Sequence, residues 1–319
     1  VSLSSGEAIG YDRLLLATGA VPRRLSVPGA DLAGVHYLRT VADADQLRED
    51  LAAASQVVVI GAGWVGAEVA ASARQLGRPV SVVELGALPL ERVLGPEVGA
   101  VYRDLHAEHG VDLHFGAGVG SLGGHGAVEE VRLSDGKVLA ADLVVVGVGV
   151  TPRAELAEMG GLALDNGIVV DEHLATSAPG VYAAGDVANA FHPLYGRHVR
   201  LEHWSAARNQ GPVAAKNMLG KTRVYDEVPY FFSDQYDFGM EYTGYAPNWD
   251  EVVFRGSPFG REFTAFWLHE GRVVAGMNAN VWDVANTIEA LVRAGRPVDR
   301  SRLVDTQVDL ASLVPPPRG

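Results

Sequence analysis

Continuous apolar runs closed by glycine mark the first half of the chain. VVVI at 57–60, VSVV at 80–83 and LVVV at 143–146 do not alternate with polar residues. That is the pattern of strands buried on both faces of a parallel sheet. RLLLATG at 13–19 reads as a further strand, followed by a proline-containing loop. Helical periodicity fills the intervals. TVADADQLREDLAAA predicts a helix over 40–54 with Thr40 as its N-cap, GAGWVGAEVAASARQLG opens a second helix, and a third covers about 96–109. The segment 111–150 predicts short strands turning at SDGK, 134–137.

Beyond Thr151 the pattern changes. A short helix is expected at 153–159 and a longer one over 204–219. From Val228 aromatic residues crowd into strand-like segments, with a hairpin turn at HEGR, 269–272, and then the helical DVANTIEALVRAG. This reads as an antiparallel sheet with flanking helices and hence a separate domain. The final PPPRG is expected to be disordered.

Composition narrows the class. The 319 residues suit two or three domains, and 48% hydrophobic residues supply a substantial core. The 38 glycines cluster beside the apolar runs, as in nucleotide-binding α/β proteins. A net charge of −13 argues against coating nucleic acid. No apolar run approaches the roughly 20 residues that cross a bilayer, so no membrane association is expected. The opening VSLSSGEAIGYD shows neither the basic start nor the apolar stretch of a signal peptide. With no cysteine there is no disulfide framework, thiolate metal site or dithiol redox pair, and a cytoplasmic location fits. His106, His109 and His114 lack metal-ligand spacing, so no metal is expected.

The strongest chemical motif is GAGWVGAE, Gly61 to Glu68, placed after an apolar strand and at the start of a helix. Gly61 permits the tight turn, Gly63 lets the backbone approach a pyrophosphate, and Gly66 lets helix pack on strand. Glu84 ends the next strand, where an acid bonds the ribose 2′-hydroxyl and selects NAD over NADP. VYAAGD brings a second acid, Asp186, to a strand's C-terminal end, where ligands bind in open α/β sheets. Since Gly61 to Glu84 already serves NAD, a second cofactor is implied. ATG at 17–19 and GVGVTP at 147–152 are similar strand ends.

In series, ATGAVPR, GAGWVGAE, VVELG, GVGVTPR, TSAPGVYAAGD and LEHWSAARNQG resemble the FAD- and NAD-binding reductases of the glutathione-reductase fold. The ferredoxin and rubredoxin reductases of oxygenase and cytochrome P450 electron chains are the nearest branch, to which SDQYD at 233–237 is also similar. The resemblance implies two Rossmann-like dinucleotide-binding domains and a C-terminal α+β domain. The boundaries it suggests are 1–28 and 154–228 for FAD, 29–153 for NAD and 229–319 for the C-terminal domain. Family members begin with a further glycine-rich βαβ unit for the ADP half of FAD. Its motif is not seen here, so the FAD domain is expected to be N-terminally incomplete.

The resemblance implies FAD and NAD as cofactors, hydride transfer from NADH to FAD, and single electrons passed to a ferredoxin- or rubredoxin-type protein. It gives Asp186 and Gly185 to FAD, with Thr18 and Gly19 shaping the turn, Arg23 contacting FAD and Gly149 in a cofactor loop. Glu68 would face the nicotinamide carboxamide and Trp204 would pack by the flavin. Plainer readings stand beside these: a helix-start charge for Glu68, an interface or core aromatic for Trp204, a solvated loop arginine for Arg23. The run Arg293, Arg296, Arg300 and Arg302 could dock an acidic partner or be simply solvated. Alternative functions are an NADH oxidase and a redox-silent NAD-binding module of the apoptosis-inducing-factor type.

Overall fold

The structure is a computed structural model describing residues 1–316, so 317–319 of the expected disordered tail lie outside it. The chain forms two compact units, one of residues 1–21 and 151–231, the other of residues 22–150 and 232–319.

The larger unit is organised by a parallel sheet in the order Val35–His36, Leu143–Val146, Val57–Ile60, Val80–Glu84, Asp112–Phe115. Its apolar runs are continuous because each face has its own core. Val57, Val59, Leu143 and Val145 join the helices through Leu47, Leu51, Val69, Ala70 and Ala73. Val58, Ile60, Val144 and Val146 point the other way, onto Leu122, Val131, Leu133 and Leu139 of a three-stranded antiparallel sheet. That small sheet contains the expected hairpin, Glu130–Leu133 and Val138–Ala140.

The helices Val41–Ala53 and Trp64–Gln75 lie where periodicity placed them, and Thr40 caps the first through a reciprocal pair of bonds with Asp43. The span Glu91–Glu108 holds the helix expected over about 96–109, preceded by a short helical turn from Glu91. Gly95 interrupts it with φ 79°, just before Pro96. Leu90 and Leu94 are buried at that preceding turn, and the kink falls at the Gly95–Pro96 pair.

In the same unit lies a five-stranded antiparallel sheet, ordered Tyr230–Gln235, Phe238–Gly244, Arg272–Ala279, Glu262–His269, Glu251–Ser257. Its first strand enters the unit at Phe232. The helix Ala285–Ala294 covers it, with Ile288 seated so closely on Gly276 that an added Cβ would lie 2.7 Å from a methyl carbon. This sheet shares buried contacts with the span Glu91–Glu108: Trp267 Nε1 donates to Leu94 O at 3.2 Å, and Tyr102 meets Phe238 edge-on at 5.3 Å.

The smaller unit holds the parallel pair Leu14–Leu16 and Val181–Ala183, a three-stranded sheet, and the helices Glu155–Met159 and Trp204–Met218. Its core joins Leu16, Ile168, Val170, Leu174, Ala183 and Ala214. Among the described residues no helix is long and apolar enough to cross a membrane.

Candidate active site

In the larger unit, the strand Val57–Ile60 ends at Gly61, whose φ of 96° turns the chain into the helix Trp64–Gln75. A Cβ on Gly61 would lie 2.5 Å from Gly147 O, and one on Gly66 only 1.9 Å from Gly61 O. These two glycines are therefore required by the protein's own packing. Gly63 differs, because a Cβ there would meet nothing within 4 Å. Its backbone faces open space at a helix start that has no side-chain cap. A helix start with no side-chain cap beside an open, side-chain-free surface fits a pyrophosphate.

Glu84 is the acid beside this turn. Its Oε2 accepts from Ala62 N at 2.6 Å and its Oε1 from Gly86 N at 2.8 Å. The carboxylate is thus fixed by the glycine turn itself, and each oxygen keeps a lone pair for a ribose hydroxyl. Gly149 and Arg23 lie together in the same unit. Arg23 N donates to Gly149 O at 2.9 Å, and its guanidinium Nε donates to Val150 O at 3.1 Å. Arg23 therefore braces the loop after the strand Leu143–Val146 and is not merely solvated.

Glu68 lies just over one turn into the helix. Ser233 donates its hydroxyl to Glu68 Oε1 at 2.6 Å. Burial raises the Glu68 pKa, the Ser233 bond opposes that rise, and the Asp234 charge adds to it. Ser233 lies within SDQYD, and nothing in the spacing of that stretch points to Glu68, 165 residues away.

In the smaller unit, Leu16 pairs in register with Ala183, so Thr18 and Gly185 end adjacent parallel strands. Thr18 Oγ1 donates to Arg153 O at 2.6 Å, and Gly19 O accepts from Arg153 N at 2.9 Å, so both residues shape this strand end. Gly185 N donates to Gln210 Oε1 at 2.8 Å; Gln210, of ARNQG, is a site-building residue that sequence reasoning passed over. Asp186 follows, its carbonyl accepting from Arg200 at 3.1 Å. Nearby, burial lowers the pKa of His203 while the Asp186 charge raises it. His203 caps the helix Trp204–Met218 by accepting from Ser205 N at 3.2 Å. Trp204 is 49% exposed, far from a core aromatic, with the Arg208 guanidinium 5.6 Å from its ring centroid. A hydroxyl, an accepting carboxylate, helix-start amides and a half-exposed indole are groups that fit a flavin and its polyhydroxylated chain.

The arginine run is less basic than its sequence. Arg293 pairs with Glu289 at 2.6 Å and Arg300 with Glu251 at 2.9 Å, while Arg302 reaches the Ser312 hydroxyl at 3.4 Å. Among the described residues no cluster of three His, Asp or Glu could hold a metal.

Residues 1–211 match the pyridine nucleotide-disulphide oxidoreductase family, and residues 230–314 match the reductase C-terminal domain. The chain belongs to the pyridine nucleotide-disulphide oxidoreductase family. Among similar members is the ferredoxin–NAD(+) reductase component of the anthranilate 1,2-dioxygenase system of Burkholderia cepacia. It is 41% identical over 318 residues, covering 98% of this chain and 78% of the relative. Putidaredoxin reductase of Pseudomonas putida is 38% identical, covering 98% and 76%. A crystal structure of a ferredoxin reductase from Rhodopseudomonas palustris superposes with a TM-score of 0.94 at 37% identity, covering 98% and 78%. The covalent putidaredoxin reductase–putidaredoxin complex matches with a TM-score of 0.94 at 38% identity, covering 98% and 76%. The mixed α/β fold expected from the sequence is the fold of these reductases.

Proposed function

We propose that the protein is an FAD-dependent oxidoreductase that passes electrons from NADH to a ferredoxin-type protein. The observation that carries the proposal is the set of ferredoxin reductases matching 98% of the chain at 38–41% identity. The geometry of each half-site supports it. When bound, FAD accepts a hydride from NADH and releases electrons one at a time.

In the dinucleotide half, the backbone at Gly63 and the amides that follow it receive the pyrophosphate. Glu84 accepts from the ribose hydroxyls, and the bonds from Ala62 and Gly86 hold its charge in place. That charge repels the 2′-phosphate of NADP, which makes NADH the preferred donor. Glu68 accepts from the nicotinamide carboxamide and fixes the ring's orientation, while Gly149, braced by Arg23, closes the loop beside the dinucleotide. In the flavin half, Asp186 and the turn of Thr18, Gly19 and Gly185 hold the ribityl chain. Trp204 offers its exposed face to a ring system. The amides that open its helix favour negative charge on a reduced ligand, each worth about 0.3–1 kcal/mol.

The test is NADH oxidation by the FAD-loaded protein, measured with and without an added iron–sulfur ferredoxin. The proposal expects a rate that rises with ferredoxin and saturates. Oxidation as fast in air alone as with saturating ferredoxin would point to an oxidase instead.

A further inference from the structure

Behind Glu68 runs a buried chain of polar groups that the proposed reaction does not yet use, all within the larger unit. Ser233 Oγ donates to Glu68 Oε1 at 2.6 Å, and Gln235 Nε2 donates to Ser233 Oγ at 3.2 Å. His106 Nε2 lies 2.9 Å from Gln235 Oε1, and the Tyr236 hydroxyl lies 3.2 Å from His106 Nδ1. Tyr236 in turn stacks on His109, with centroids 3.6 Å apart and planes at 8°. Ser233, Gln235 and His106 are 2%, 1% and 3% exposed.

With Glu68 ionised, donor chemistry permits one assignment of these bonds. The single Ser233 proton goes to the carboxylate, so Ser233 Oγ accepts from the Gln235 amide nitrogen. Gln235 Oε1 can only accept, so His106 carries its proton on Nε2. The bare Nδ1 then accepts from Tyr236. All four bonds run toward Glu68, and hydrogen bonds in series polarise one another. The reverse order needs a protonated Glu68 and an overturned Gln235 amide. One carboxylate oxygen is tied by Ser233, while Glu68 Oε2 has no hydrogen bond from the described residues. The titratable groups facing Glu68 are Asp234, which follows Ser233, and Tyr102 from the helix Glu91–Glu108. The Tyr102 hydroxyl is buried with no hydrogen-bond partner among the described residues.

We propose that Ser233, backed by Gln235, His106 and Tyr236, is the positioning residue for Glu68: it fixes one carboxylate oxygen and presents the other to the nicotinamide carboxamide. This rests on the reading of Glu68 given above. Burying an amide and an imidazole behind one serine gains little for packing alone, since each needs a partner once removed from water. Their common direction gives the arrangement a consequence at the carboxylate. Removing Ser233 disfavours the ionised form of Glu68 and lets its side chain rotate.

The test compares Ser233→Ala, Ser233→Thr, Asp234→Asn and Glu68→Gln in the FAD-loaded protein. Two quantities are read: the equilibrium affinity for NAD(+) by calorimetry across pH, and the rate of flavin reduction by NADH. Glu68→Gln is expected to weaken binding and slow reduction. Ser233→Ala is expected to weaken NAD(+) binding about tenfold and move the acid limb of its pH profile up by about one unit. Ser233→Thr, which keeps the hydroxyl, should restore most of both. Asp234→Asn, which removes a like charge, should move the limb down. If Glu68→Gln has its effect while Ser233→Ala binds NAD(+) as the wild type does, with the same pH profile, the serine is packing only and the inference falls. If Glu68→Gln itself changes neither quantity, the reading of Glu68 falls and the inference with it.

Discussion

Three glycines of one motif do different work, and substitution separates them. Gly66→Ala places a Cβ 1.9 Å from a backbone oxygen, so helix and strand must part. Its stability should fall by an amount typical of overpacking, about 1–3 kcal/mol or more, read as a clearly lower thermal midpoint. Gly63→Ala meets no protein atom within 4 Å and has an ordinary φ of −75°. It should leave the midpoint within a degree or two and yet bind NADH far more weakly. Equal loss of stability in both variants would contradict an open approach at Gly63. For Glu84, replacement by arginine removes both the acceptor for ribose and the acceptor for Ala62 and Gly86. The NADPH-to-NADH ratio of kcat/KM should rise at least about tenfold, equivalent to losing one hydrogen bond to a charged group. Steady-state kinetics with the two cofactors measures it. Gly61 and Gly66 could be found in the sequence because the packing there leaves no room for a Cβ, and Gly63 and Glu84 because they keep the spacing of a dinucleotide-binding motif. Ser233, Gln235 and His106 could not, being ordinary polar residues whose meaning comes from partners more than a hundred positions away.

At the scale of elements, local chemistry was readable wherever it is local. Thr40 and Asp43 form their capping box within one turn, and Thr40→Ala should cost about 1 kcal/mol, read as a lower urea midpoint. The helix expected over about 96–109 forms the second part of the span Glu91–Glu108, after the kink at Gly95. That helix carries His106, whose pKa burial pushes down to about 4, against the Gln235 bond and with help from His109. The sign follows directly. Between about pH 6.5 and 4 the unfolded chain binds a proton that folded His106 refuses, so stability falls as pH drops through this window. The slope contributed is up to about 1.4 kcal/mol per pH unit. Urea midpoints measured from pH 7 to 4 should fall more steeply for the wild type than for His106→Gln. Parallel curves would mean that His106 takes up its proton normally in the folded state.

Taken whole, the molecule divides its two candidate half-sites between two units, each with its own hydrophobic core. Apolar runs closed by glycine announced the strands of both units, and their order carried the family resemblance that the relatives bear out. The antiparallel sheet was legible as a sheet, but its buried contacts with the span Glu91–Glu108 were not. Those contacts depend on which aromatic faces which backbone, and no spacing rule encodes that. They accompany the bond from Ser233 to Glu68, so an element that reads as a separate domain reaches the residue proposed to orient the nicotinamide.

The central claim is that electrons enter from NADH and leave singly to an iron–sulfur partner. The most direct measurement is anaerobic mixing of the FAD-loaded protein with NADH and excess oxidised ferredoxin, following the visible spectra of both chromophores. NADH should bleach the flavin, and two ferredoxins should be reduced for each NADH consumed, since NADH gives two electrons and each ferredoxin takes one. A protein that holds FAD and binds NADH but leaves both spectra unchanged would contradict it.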